Sequence, residues 1–199
     1  MKNMKYAFVA LLLSVPAISQ AGIFVEPGIT YQSDDTTIDY GGSTNKSSGK
    51  NTGLGISARF GFDASDIIFI GLDGRYAITK FEDSAFNTNV SAKSYNLGPV
   101  VGIQMPIVGL RVWGGYILSG ELDPDEVTTS TIKYDGKLAG AKGYRVGVGF
   151  HFILVSINLE YQDIKYNDNS ATTSVGIPVT LNEATEKGLV LGVSFPIGL

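Results

Sequence analysis

Leu189-Val190-Leu191-Gly192-Val193-Ser194-Phe195-Pro196-Ile197-Gly198-Leu199 closes the chain, and its apolar bulk falls on every second position. A period of two means an extended strand with two unlike faces. One face carries Leu189, Leu191, Val193, Phe195, Ile197 and Leu199. The other carries Val190 and then mostly small residues, Gly192, Ser194, Pro196 and Gly198. The fold is decided by whether the bulky face points into a core or out into lipid.

The same alternation recurs in stretches near 23–33, 52–63, 68–78, 94–105, 110–119, 143–152 and 155–162, so eight strands are expected. In each, one face is apolar and the other is rich in Gly and Ser with scattered charge. Gly102-Ile103-Gln104-Met105-Pro106-Ile107 is echoed by Gly192-Val193-Ser194-Phe195-Pro196-Ile197, as expected of a repeating hairpin meander. Short connections at Ala64-Ser65, Pro106 to Gly109 and Ile153-Leu154 alternate with long polar segments at 34–51, 81–92, 121–140 and 166–186, which are expected to be loops. Ile153-Leu154 lacks the usual turn residues.

Length and composition narrow the class. The chain has 199 residues, enough for one domain. Lys2 and Lys5, the apolar run Ala7 to Val15 and Ser19-Gln20-Ala21 form the pattern of a cleaved signal peptide over 1–21, leaving a domain over 22–199. With no cysteine, an exported domain has no disulfides and must rely on packing and backbone pairing. One histidine, His151, and no cysteine leave no His or Cys cluster for a metal, and no cofactor is expected. The chain carries 15 basic and 19 acidic residues; without Lys2 and Lys5 the balance is 13 against 19, which argues against a nucleic-acid partner. Past the leader no uninterrupted apolar run is long enough for a membrane helix.

Volume decides which face is inside. An eight-stranded barrel has an interior only wide enough for side chains to fill. The Leu, Ile, Val, Phe and Tyr face is too bulky for that space, whereas the glycine-rich face fits. All four arginines, Arg59, Arg75, Arg111 and Arg145, fall on the glycine-rich face. On the other they would cost about 2–4 kcal/mol each near the middle of a bilayer. Tyr31, Tyr76, Tyr95, Tyr116, Tyr144 and Tyr161 cluster toward the long segments, and Phe60, Phe62, Phe150, Phe152 and Phe195 toward the short turns. Two aromatic girdles are the mark of a membrane barrel. The expected fold is therefore all-β: an eight-stranded antiparallel up-and-down transmembrane β-barrel with short periplasmic turns and four long extracellular loops.

With these features the chain resembles the small outer-membrane barrels of the OmpA/OmpX type over 22–199. The resemblance implies the outer membrane, contact with its lipid and lipopolysaccharide, insertion by the barrel-assembly machinery, and a monomer. By this resemblance it is expected to be nearer the barrel-only members, without a peptidoglycan-binding domain. Such proteins typically end in an aromatic residue; here Phe195 and Ile197 keep the alternation and Leu199 ends it.

Inside, Arg59, Arg75, Arg111 and Arg145 are expected to face Glu26, Asp73 and Glu160, with Asp63 and Glu121 near the rims. Two uses of this charged lumen are open: a filled polar core that fixes the strands, or a narrow pore gated by switching ion pairs. The resemblance to barrels discussed as small pores keeps the second in view. Inward Gly55, Gly61, Gly71, Gly115, Gly143, Gly147 and Gly149 would leave room for water, while Trp113 and Phe69 would take space. His151 near Ser156 and Ser194 forms no supported triad, so an enzyme is not expected. The polar loops are expected to carry any extracellular contact.

Overall fold

The computed structural model describes residues 22–39, 46–64, 67–83, 88–105, 107–129, 132–173, 178–179 and 182–198. The leader and Leu199 lie outside them. The strands are β1 (Gly22–Asp39), β2 (Lys46–Ala64), β3 (Ile68–Asp83), β4 (Thr88–Met105), β5 (Leu110–Ile117), β6 (Ser119–Pro124), β7 (Val127–Thr129), β8 (Ile132–Phe152), β9 (Val155–Thr173), β10 (Pro178–Val179), β11 (Glu183–Ser194) and β12 (Ile197–Gly198). β5 and β6 together make one wall strand, and β11 and β12 another. Each wall strand pairs antiparallel with the next, and β11 returns to β1 through Gly28↔Ser194 to Asp39↔Glu183. Eight wall strands thus close a ring, and closure leaves no unpaired edge to face lipid. No helix among the described residues is long and apolar enough to cross a membrane; the crossing is made by strands.

The two faces divide as the volume argument requires. Leu54 is 70% exposed and Ile56 62%, whereas Arg59 on the same strand is 5% exposed. The tyrosines and phenylalanines of both girdles lie on the outer face.

The strands run further than the alternation of bulky residues suggested. Segments 34–51, 81–92, 121–140 and 166–186 are largely wall, not loop, in their described parts. Above the upper tyrosines the alternation continues with its chemistry reversed. On β1 the outward positions after Tyr31 are Ser33, Asp35, Thr37 and Asp39, while the inward set ends in Ile38. On β9, Asp163 and Lys165 face out while Ile164 and Tyr166 face in. The lipid-facing chemistry of the wall ends near the tyrosines, and above them the outer face is polar while the interior passes from the buried Asp34, Asn51 and Glu186 to the apolar Ile38, Leu122 and Ile164.

Two bulges shift the parity. Leu118 and Ser119 both face outward opposite Leu97, with the Leu118 N–H donating to the Leu97 carbonyl at 3.0 Å. Beyond this point even-numbered positions face in, so Leu122 is buried and Glu121 points outward to Lys137. Glu121 is therefore not a lumen acid. On β8, Gly140 adopts φ 68° and resets the strand so that both Leu138 and Ala141 are buried. At the short-turn end the β8–β9 hairpin has a two-residue loop between Phe152 and Val155, with Ile153 at φ 58°. A β-branched residue in the left-handed region is strained.

Candidate functional site

The lumen is filled in layers. At the short-turn end Phe24, Phe69, Val100 and Trp113 form a buried apolar cluster. Phe24 and Phe69 meet edge to face at 5.9 Å between centroids. The neighbouring glycines make this layer possible. A Cβ on Gly102 would collide with the Phe69 ring, and one on Gly147 with the Trp113 indole. The space that Gly147 opens is thus taken by a ring and not left to water. Below this layer a cavity of about 230 Å³, lined in part by Asp63, Gln104, Arg111 and His151, opens toward the short turns.

Next come the charges. Register places Glu26 opposite Arg59 and Arg59 opposite Asp73 across β1, β2 and β3. Arg59 donates to Asp73 at 2.9 Å and lies 3.4 Å from Glu26. Arg111 grips Glu26 with two parallel bonds of 2.8 and 2.9 Å. Such bidentate pairs are the strongest form of carboxylate recognition. Arg75 holds Glu160 at 2.5 Å and touches Asp73 at 3.3 Å. Arg145 reaches Asp73 at 2.5 Å and also donates to the Asn96 side-chain amide oxygen, Oδ1. The seven residues expected in the lumen, Glu26, Arg59, Asp73, Arg75, Arg111, Arg145 and Glu160, therefore form one buried network. The Arg59 guanidinium also lies 4.9 Å over the Trp113 ring, and that of Arg111 4.9 Å over Phe69, tying the charges to the apolar layer below. The gap left among them measures about 20 Å³, room for about one water.

Parity alone missed the smaller partners. Ser194 donates to Glu26 at 2.6 Å, and Asn158 donates to Ser194 at 2.8 Å. It also missed a second polar group above the arginines, in what looked like loop. Asp34 accepts from the Gln162 amide at 3.1 Å. Glu186 accepts from Asn51 at 2.7 Å and from the Tyr166 hydroxyl at 2.6 Å. Burial, and then the neighbouring Glu186, push the Asp34 carboxyl up to about 9. Burial likewise raises the Tyr166 phenol.

The top layer is apolar again. Ile38, Phe81, Ala92, Ile117, Leu122, Leu138, Ala141, Ile164, Tyr166 and Ala184 form one buried cluster across the upper barrel. His151 sits at the opposite end, with its Nδ1 3.0 Å from the Ser156 hydroxyl. Ser156 is 0% exposed, which leaves its oxygen out of a substrate's reach.

Closed ring, apolar outer wall and charged interior define an eight-stranded outer-membrane barrel. The chain belongs to the outer membrane protein beta-barrel domain family, whose model matches residues 7–195. Neisserial surface protein A is similar in structure, with a TM-score of 0.52 and 13% identity over 88% of this chain and 97% of that one. The attachment invasion locus protein Ail of Yersinia pestis, solved with the heparin analogue sucrose octasulfate, gives 0.50 and 14% over 87% and 99%. At these identities the likeness carries the fold and not the ligand. No curated protein matches the sequence.

Proposed function

We propose that the protein is a closed, non-conducting, non-enzymatic anchor that displays its outer barrel extension and loops as contact surfaces on the cell. One observation carries this reading: the ion network packs into the Phe24–Phe69–Val100–Trp113 cluster, with Arg59 over Trp113 and Arg111 over Phe69, and a second apolar cluster around Ile38, Leu122 and Ile164 fills the lumen above it. An ion following the lumen would have to pass both clusters, and switching the Arg–carboxylate pairs leaves the upper one in place. The charges then act as a fixed tie between strands distant in sequence, such as Arg75 and Glu160.

Planar-bilayer recordings on the refolded protein test this. The expected result is no reproducible conductance, for the parent chain and for Glu160→Gln alike. Reproducible channels that respond to Glu160→Gln would establish the gated pore instead.

A further inference from the structure

Above the arginine network two carboxyls are buried without a cation. Asp34 on β1 and Glu186 on β11 both face the lumen, and a hydrogen bond joins their side chains. Among the described residues no lysine or arginine pairs with either. Arg75, whose charge is felt at Asp34, bonds to Asp73 and Glu160 below, and its Nη1 meets neither upper carboxyl. Lower in the barrel, by contrast, Glu26, Asp73 and Glu160 each hold at least one guanidinium. Two acids buried side by side are costly unless a positive charge joins them.

The side chains around this pair are rich in unused oxygen. In register Asn51 of β2 stands beside Asp34, Asp34 beside Gly188 of β11, and Gly188 beside Gln162 of β9. Thr36 stands beside Glu186. A Cβ on Gly188 would fall 2.5 Å from Asp34 Oδ1, so the glycine lets this carboxyl lie across β11 toward Gln162. The Asn51 amide donates to Glu186 and the Gln162 amide to Asp34. Yet Asn51 Oδ1, Gln162 Oε1 and the Thr36 hydroxyl oxygen have no partner. Asp34, Glu186, Asn51, Gln162 and Thr36 are all at most 2% exposed. Buried polar atoms are seldom left unpaired, and here three unpartnered oxygens flank one acid pair.

We propose that Asp34, Glu186, Asn51, Gln162 and Thr36 form a structural calcium site. The carboxylates supply two oxygens each and the other residues one each, seven in all, within the range of about six to eight that calcium takes. Turning the Asn51 and Gln162 amides about their last bond exchanges nitrogen for oxygen, so that each presents an oxygen on the carboxylates' side. As calcium enters, the proton shared by the two carboxyls leaves, and two negative charges meet two positive ones. Magnesium suits the site less, because it holds its water and these side chains are sealed from solvent. The ligands come from β1 and β2 at the start of the chain and from β9 and β11 at its end, so the ion pins the β1–β11 pairing that closes the ring. The next inward residues up the wall, Ile38, Tyr166 and Ala184, belong to the buried apolar cluster. The ion is therefore taken up as the barrel closes and leaves slowly.

The test refolds the protein in zwitterionic micelles with calcium or with EDTA, removes free metal by gel filtration and measures bound metal by elemental analysis. Expected are one calcium per chain in the parent and none in D34N/E186Q. The control D35N/E183Q, altered at outward positions of the same two strands, should keep the ion. In urea titration, calcium at about a hundred times its dissociation constant should raise the parent's folded-to-unfolded ratio about a hundredfold and leave that of D34N/E186Q unchanged. Terbium in place of calcium gives a second readout. Tyr166 donates to Glu186 at 2.6 Å, so tyrosine excitation should sensitise terbium emission that D34N/E186Q abolishes. T36V alone removes one oxygen at nearly constant volume and should weaken retention, which keeps the test usable if the double variant refolds poorly. A calcium-free parent, or equal retention by D34N/E186Q and D35N/E183Q, overturns the proposal and leaves water as the partner of the unpaired oxygens. Equal retention of magnesium or sodium overturns calcium as the occupant.

Discussion

Asp73 lies directly across from Arg59 in the β2–β3 register, and its carboxylate is shared by three guanidinium groups, those of Arg59, Arg75 and Arg145. It is the hub of the lumen. Removing one partner from a buried ion network costs more than the pair is worth, because the stranded charges stay buried. Asp73→Ala should therefore lose about 3–5 kcal/mol in urea unfolding of the refolded protein. A loss below 1 kcal/mol would mean the arginines find water.

Glu160 gives the paired comparison. It is 5% exposed and holds Arg75, whereas Glu183 pairs with Lys165 on the open surface. Glu160→Ala should destabilise by several kcal/mol and Glu183→Ala by about 0–1 kcal/mol. The same urea titration reads both, and equal effects would refute the inward assignment.

The periplasmic apolar layer should behave as a packed core. Phe69 is fully buried against Phe24 and beneath two guanidinium groups. Phe69→Ala should cost about 3–5 kcal/mol. Gly147→Ala should also destabilise, since its Cβ has no room beside Trp113. Loss of near-UV dichroism from the single tryptophan would report the displacement.

Asp34 sets a pH dependence. Its carboxyl is raised from 3.8 to about 9 in the folded state. Between those values the folded protein holds a proton that the unfolded chain releases. Stability from this group is present below pH 4, falls as pH rises through the window and levels off above 9. Asp34→Asn should flatten the profile, so that the variant gains on the parent from pH 5 to pH 9. Urea midpoints measured across that range check it, and parallel profiles would contradict it.

Ile153 offers a stabilising change. Its φ of 58° strains a β-branched residue at the first central position of a two-residue hairpin, where glycine is at ease. Ile153→Gly should gain about 1 kcal/mol, read as slower unfolding in urea.

The fold was legible because lipid and lumen impose opposite chemistry on alternate residues, as Leu72 and Asp73 show side by side. Parity alone put Glu26, Arg59, Asp73, Arg75, Arg111, Arg145 and Glu160 on the inward face, where they are buried, but it did not reach the buried acids Asp34 and Glu186. The outer third was not legible, for the same physical reason. Above Tyr31 and Tyr161 the surroundings are water, so Ser33 and Lys165 face out and Ile38 and Ile164 face in. Bulky alternate residues run out there, although the period of two continues along β1 and β9. Glu121 was misplaced because one extra residue at Leu118-Ser119 reverses parity, and no residue type there announces a bulge.

Quenching by brominated acyl chains tests the central claim, that lipid touches the bulky wall while the other face is sealed inside. The parent's single tryptophan, Trp113, is 3% exposed, and Leu72 is 52% exposed. In lipid bilayers Trp113 should be almost unquenched, and a tryptophan introduced as Leu72→Trp with Trp113→Phe should be strongly quenched. Strong quenching of Trp113 with none at position 72 would contradict the account.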